Sequence, residues 1–137
     1  MTSRMIESSQ MDADTFESLV DQAIEELPVE FRDALDNVSI TVQDWPTRQQ
    51  LRGMGMRGRF ELLGLYQGVP QTERGDHYNL ALPDTITLFR KPIEARCRSA
   101  EEVRQTVRDT LQHEIAHHFG TGEGRIRAIE RRRNRRR

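Results

Sequence analysis

Apolar positions along the chain recur with two periods, and the changes of period divide it into elements. Phe16, Leu19, Val20, Ala23, Ile24 and Leu27 lie three or four apart, which predicts one buried face of an amphipathic helix. Asp14, with Glu17 three positions later, predicts a capping box at its start. Pro28 suits the first turn of a second, short helix through about Leu35, with Phe31 and Leu35 facing inward. The period then falls to two. Residues 38–42 alternate valine and isoleucine with serine and threonine, a half-buried strand that ends before Asp44-Trp45-Pro46. Thr47 opens a short capped helix, and Gly53, Gly55 and Gly58 break it into a loop carrying Met54 and Met56. Methionines beside glycines either line a pocket or pack locally, and local packing is the expectation. Residues 62–66 and 85–89 read as two more strands, the second closed by Lys91-Pro92 and followed by a loop through Arg98. Ser99 with Glu102 is a second capping box. It opens a helix of about twenty residues to Phe119, close to 30 Å of rigid rod, with Val103, Val107, Leu111 and Ile115 as its apolar stripe.

That last helix carries the chemistry. Residues 113–123 read H-E-I-A-H-H-F-G-T-G-E, beginning with an HExxH motif. The spacing puts His113 and His117 one turn apart on one face, where both can reach a single metal ion. Glu114, beside the first ligand, is placed to take a proton from a metal-activated water. Gly120 is the residue expected to stop the helix and turn the chain back, so that Glu123 supplies a carboxylate as third ligand. The full spacing, HExxHxxGxxE, is similar to the extended metal site of metzincin-like and gluzincin-like peptidases, with a carboxylate where metzincins place a third histidine. His118 falls within the apolar stripe rather than beside it, so a packed, hydrogen-bonded role is expected for it. All five methionines precede the motif, so the methionine turn that floors a metzincin site cannot form in its usual order.

Composition narrows the setting. At 137 residues the chain supports one domain with one modest core, expected over residues 14–130, between a flexible lead-in (1–13) and an arginine-rich tail (131–137). No apolar run approaches a membrane span, and the first residues are polar and acidic, which predicts a cytoplasmic protein. Cys97 is the only cysteine, which excludes an intramolecular disulfide and a thiolate-rich zinc knuckle. The formal net charge is −1, but ten acidic residues lie between Glu7 and Asp36 while eight arginines lie between Arg125 and Arg137. Such a tail can grip RNA or an acidic partner. Arginine enrichment runs through the whole chain, however, and no aromatic platform or recognition motif accompanies the tail. Specific nucleic-acid binding is therefore disfavoured.

From about Phe16 to Glu130 the sequence resembles the small bacterial zincin-like metallopeptidases, the minimal zincins. The resemblance is carried by the strings E-E-L-P-V-E-F, N-V-S-I-T-V, L-L-G-L-Y-Q-G-V-P-Q-T-E-R-G, L-P-D-T-I-T-L-F-R-K-P-I and V-R-D-T-L-Q-H-E-I-A-H-H-F-G. It implies an α+β fold in which a small curved mixed sheet of three to four strands packs on an N-terminal helix and the long motif helix. By position it implies His113 and His117 as zinc ligands and Glu114 as catalytic base. Family members usually carry aspartate where this chain has Glu123, between Gly122 and Gly124. Two functions are then expected candidates. The first is a zinc-dependent peptidase acting on a peptide or protein substrate, with residues 85–89 a candidate sheet edge for holding substrate as an added strand. The second is a zinc-stabilised binding module with little or no hydrolytic activity, meeting an anionic partner through its arginine tail.

Overall fold

The computed structural model describes residues 11–68 and 83–121, with side chains through His118. Along the chain the elements are α1 (Ala13–Glu25), α2 (Val29–Ala34), β1 (Val38–Gln43), α3 (Arg48–Gly53), β2 (Gly64–Gln67), β3 (Asp84–Phe89), α4 (Arg90–Arg96) and α5 (Ala100–Thr121). The fold is α+β, and the described residues form an open mixed sheet of three strands in the order β1-β3-β2. β3 pairs in parallel with β1, setting Ile40 opposite Ile86, and antiparallel with β2, setting Tyr66 opposite Ile86.

Alternation along β3 divides the core. Ile86 and Leu88 face the helical layer, where Phe16, Leu19, Val20 and Ala23 of α1 meet Val103, Val107, Leu111 and Ile115 of α5. Val103, Val107 and Leu111 are wholly buried, and each such side chain contributes about 1.5–3 kcal/mol by leaving water. A smaller cluster of Leu51, Leu62, Leu65 and Phe89, with Met56 against it, covers the other side. α5 is thereby clamped along one stripe, which leaves its other stripe to line a cleft.

Several local expectations are corrected. The first helix is capped by Asp12, whose Oδ1 accepts the Thr15 N–H at 2.8 Å, and not by Asp14, which lies inside its first turn. Met11, assigned from sequence to the mobile lead-in, is buried, and its carbonyl accepts a hydrogen bond from Arg90 Nη1. Residues 90–96, expected to be part of a loop because of Pro92, form α4. Proline is tolerated there because the first-turn N–H groups have no intrahelical acceptor to lose. At the start of α5, Ser99 Oγ accepts the Glu102 N–H at 3.1 Å as expected, while the Glu102 carboxylate reaches back to the Arg98 N–H at 3.0 Å rather than to that of Ser99. α5 also runs through Gly120, the expected stop, to Thr121. Among the described residues no helix is long and apolar enough to cross a membrane.

Candidate metal centre

His113 and His117 leave α5 one turn apart, as the four-residue spacing requires. Both are exposed, and their rings lie near parallel, 18° apart in plane with centroids 6.1 Å apart. They open into a cleft of about 580 Å³, within the range of about 300–1,000 Å³ typical of ligand pockets. Two imidazoles presented to the same cavity are donors that suit zinc. Among the described residues no third histidine, cysteine or carboxylate joins them to complete a ligand cluster. Glu123, the expected third ligand, lies outside the described residues.

Glu114 sits one position on from the first imidazole and turns toward β2, where its Oε1 accepts the backbone N–H of Tyr66 at 3.1 Å. Half-burial pushes its carboxyl above the ordinary range, while the Tyr66 N–H and the neighbouring His113 and His117 act in the opposite direction. The hydrogen bond fixes one oxygen, and the second has no protein partner among the described residues. A carboxylate so held, with its proton affinity raised, can act as a base in the cleft it lines.

Contacts converging on Tyr66 hold β2 both to α5 and to β3. Its ring stacks on His118 with centroids 3.8 Å apart and planes 13° apart, and its hydroxyl donates to Asp84 Oδ2 at 2.8 Å. His118 is thus packed, as its place in the apolar stripe predicts, and the Tyr66 hydroxyl serves the structure. The approach is close because residue 64 is glycine. A Cβ there would lie 2.7 Å from Thr110 Cγ2, nearer than side-chain contacts allow, and 3.6 Å from Glu114 Cγ. A lone glycine within the strand pattern Leu62-Leu63-Gly64-Leu65-Tyr66 is the signal that could have found this approach from sequence.

The strand expected to offer a sheet edge does not. β3, which contains residues 85–89, is central and paired on both sides, and the edge beside α5 is β2. Phe89 donates its N–H to the Leu63 carbonyl at 2.9 Å, and Leu65 pairs with Thr87. Antiparallel alternation therefore turns the backbone groups of Gly64 and Tyr66 away from β3, toward the α5 side.

The family model for zincin-like metallopeptidases matches residues 35–133, which takes in β1, all of α5 and the HExxH motif. The chain belongs to the zincin-like metallopeptidases. A search of curated proteins returns no match. As a zincin-like protein, it places both motif histidines and the motif glutamate in one cleft. Thr106, Asp109 and Thr110 on the same α5 stripe also line that cleft, and counting back from His113 by helical period would have found them. Met54 and Met56 line it as well. Met56 also packs locally, as expected of both, but Met54 remains 40% exposed.

Proposed function

We propose that the protein is a zinc-dependent peptidase. His113, His117 and Glu123 would hold the ion, in keeping with the pair of imidazoles and the carboxylate that follows them at motif spacing. When bound, zinc supplies Lewis acidity, which lowers the pKa of water to about 7 and polarises a carbonyl.

The rest of the chemistry belongs to the chain. Glu114 accepts a proton as the oxygen of water adds to the peptide carbonyl carbon, and it returns that proton to the amide nitrogen as the C–N bond breaks. The Tyr66 N–H keeps the carboxylate turned toward the cleft through both transfers. Gly64, on β2, the edge strand beside α5 among the described residues, takes the role expected of residues 85–89, offering its outward backbone groups to an extended peptide. The observation that carries the reading is the opening of His113, Glu114 and His117 into one cavity beside β2, an edge strand among the described residues.

One observation favours a second reading, a zinc-stabilised binding module: Glu114 already has a structural partner in Tyr66. Glu114→Gln separates the two. A peptidase loses at least about a hundredfold in kcat/KM, the lower range of what a positioned base contributes, while zinc measured by atomic absorption stays bound. A binding module loses nothing it binds. Hydrolysis that survives in Glu114→Gln sinks the peptidase assignment.

A further inference from the structure

The cleft extends beyond the residues that the hydrolytic reading uses. From His113 back to Thr106, α5 advances seven residues, about 10 Å at 1.5 Å per residue. An extended peptide covers that distance in about three residues. Along this length the two walls differ in character. The α5 wall is polar, with Thr106, Asp109 and Thr110, whereas the segment before β2 brings Met54, Met56 and Leu62, with Glu61 as the one charged group it adds to the lining.

Met54 and Met56 are placed differently within that wall. Met56 is partly buried against Leu51, Leu62, Leu65 and Phe89, so it is anchored. Met54, at the end of α3 between Gly53 and Gly55, is 40% exposed, and Gly55 turns the chain there with φ of 68°. The result is an anchored thioether with a more exposed one beside it, both lining the cleft. An unbranched, polarisable side chain suits such a surface because it adapts to apolar groups of different shape. Arg96 and Asp109, both exposed, also line the cleft, so the apolar surface is bounded.

We propose that Met54 and Met56 form the specificity-determining wall of the cleft. They would select peptides with a bulky, apolar side chain within about three residues of the bond facing Glu114. The inference rests on the peptidase reading for the nature of the ligand, a peptide, and the experiment separates the two.

The probe is a pair of acetylated, amidated pentapeptides, all alanine except for a central leucine or a central serine. They are titrated into full-length, zinc-loaded Glu114→Gln protein labelled at its methionine methyl groups with carbon-13. The leucine peptide is expected to shift the Met54 and Met56 methyl resonances, leave that of the buried Met11 in place, and bind about tenfold more tightly than the serine peptide. Met54→Ser, at an exposed position where folding is not at stake, is expected to remove most of that preference. The proposal is overturned if neither peptide binds, if binding leaves both methyl resonances unmoved, or if the preference for leucine survives in Met54→Ser. A wild-type protein that binds the leucine peptide through both methionines and never cleaves it overturns the peptidase reading alone.

Discussion

Single atoms decide how closely the edge strand approaches the motif helix. Gly64 lets β2 lie against Thr110, whose methyl group is stiff and buried. Gly64→Ala forces one of the two to move, and overpacking of this kind costs about 1–3 kcal/mol. Urea unfolding should show that loss, and Thr110→Ser, which removes the offending methyl, should recover part of it in the double variant. Simple additivity of the two changes would mean that the contact is not the cause. Glu94 poses a different residue-scale problem. Its carboxylate is 1% exposed, Oε1 has no partner among the described residues, and Oε2 meets Arg90 Nη1 at 3.3 Å. Burial pushes its pKa above the ordinary 4.5, with Arg90 opposing. The folded state therefore holds this proton more tightly than the unfolded chain does. The resulting stability is fully present below about 4.5 and is lost as pH rises through the folded value. Glu94→Gln should gain on the wild type in urea midpoint as pH is raised from 4.5 toward 8, and a constant difference across that range would refute the assignment.

Elements come next, and here the placement of β2 is testable through Tyr66. Tyr66→Phe keeps the ring on His118 and the backbone N–H on Glu114 but removes the hydrogen bond to buried Asp84. A loss of about 1–3 kcal/mol is expected, with Glu114 still in place. Thermal unfolding and a kcat/KM changed far less than in Glu114→Gln would bear this out; equal loss of activity in both would make the Tyr66 hydroxyl part of the chemistry. Where periodicity was strong, elements were legible: the stripe of α5, the alternation of β1 and the helix starts capped by Thr47 and Ser99 all follow from local side-chain chemistry. What local pattern cannot encode is which strand lies at an edge. Residues 85–89 alternate whether central or exposed, and only the pairing of β3 with both neighbours decides it. Pro92 misled for a related reason, since a proline that ends one element can equally occupy the first turn of the next. In the site itself, the HExxH spacing made His113, Glu114 and His117 legible, whereas the Tyr66 N–H partner comes from 48 residues away and depends on strand placement.

For the whole molecule, the question is whether zinc holds the fold together or is held by it. The principal core is built from α1, α5 and β3, and none of its buried members is a candidate ligand. His113 and His117 stand on the exposed side of a helix that is already fixed along its opposite stripe. A metal bound by such a preformed pair adds stability by mass action, about 2.7 kcal/mol at a free concentration a hundredfold above Kd, without being required for folding. Protein stripped with a chelator should therefore keep its helical circular dichroism and unfold cooperatively at a lower temperature, and stoichiometric zinc should restore the difference. His113→Ala should unfold near the temperature of the stripped wild type and respond little to added zinc. Loss of helical signal on chelation would instead make the ion structural. That outcome would weigh against the peptidase, because a catalytic centre needs a scaffold that keeps a coordination position open, and would favour the binding module.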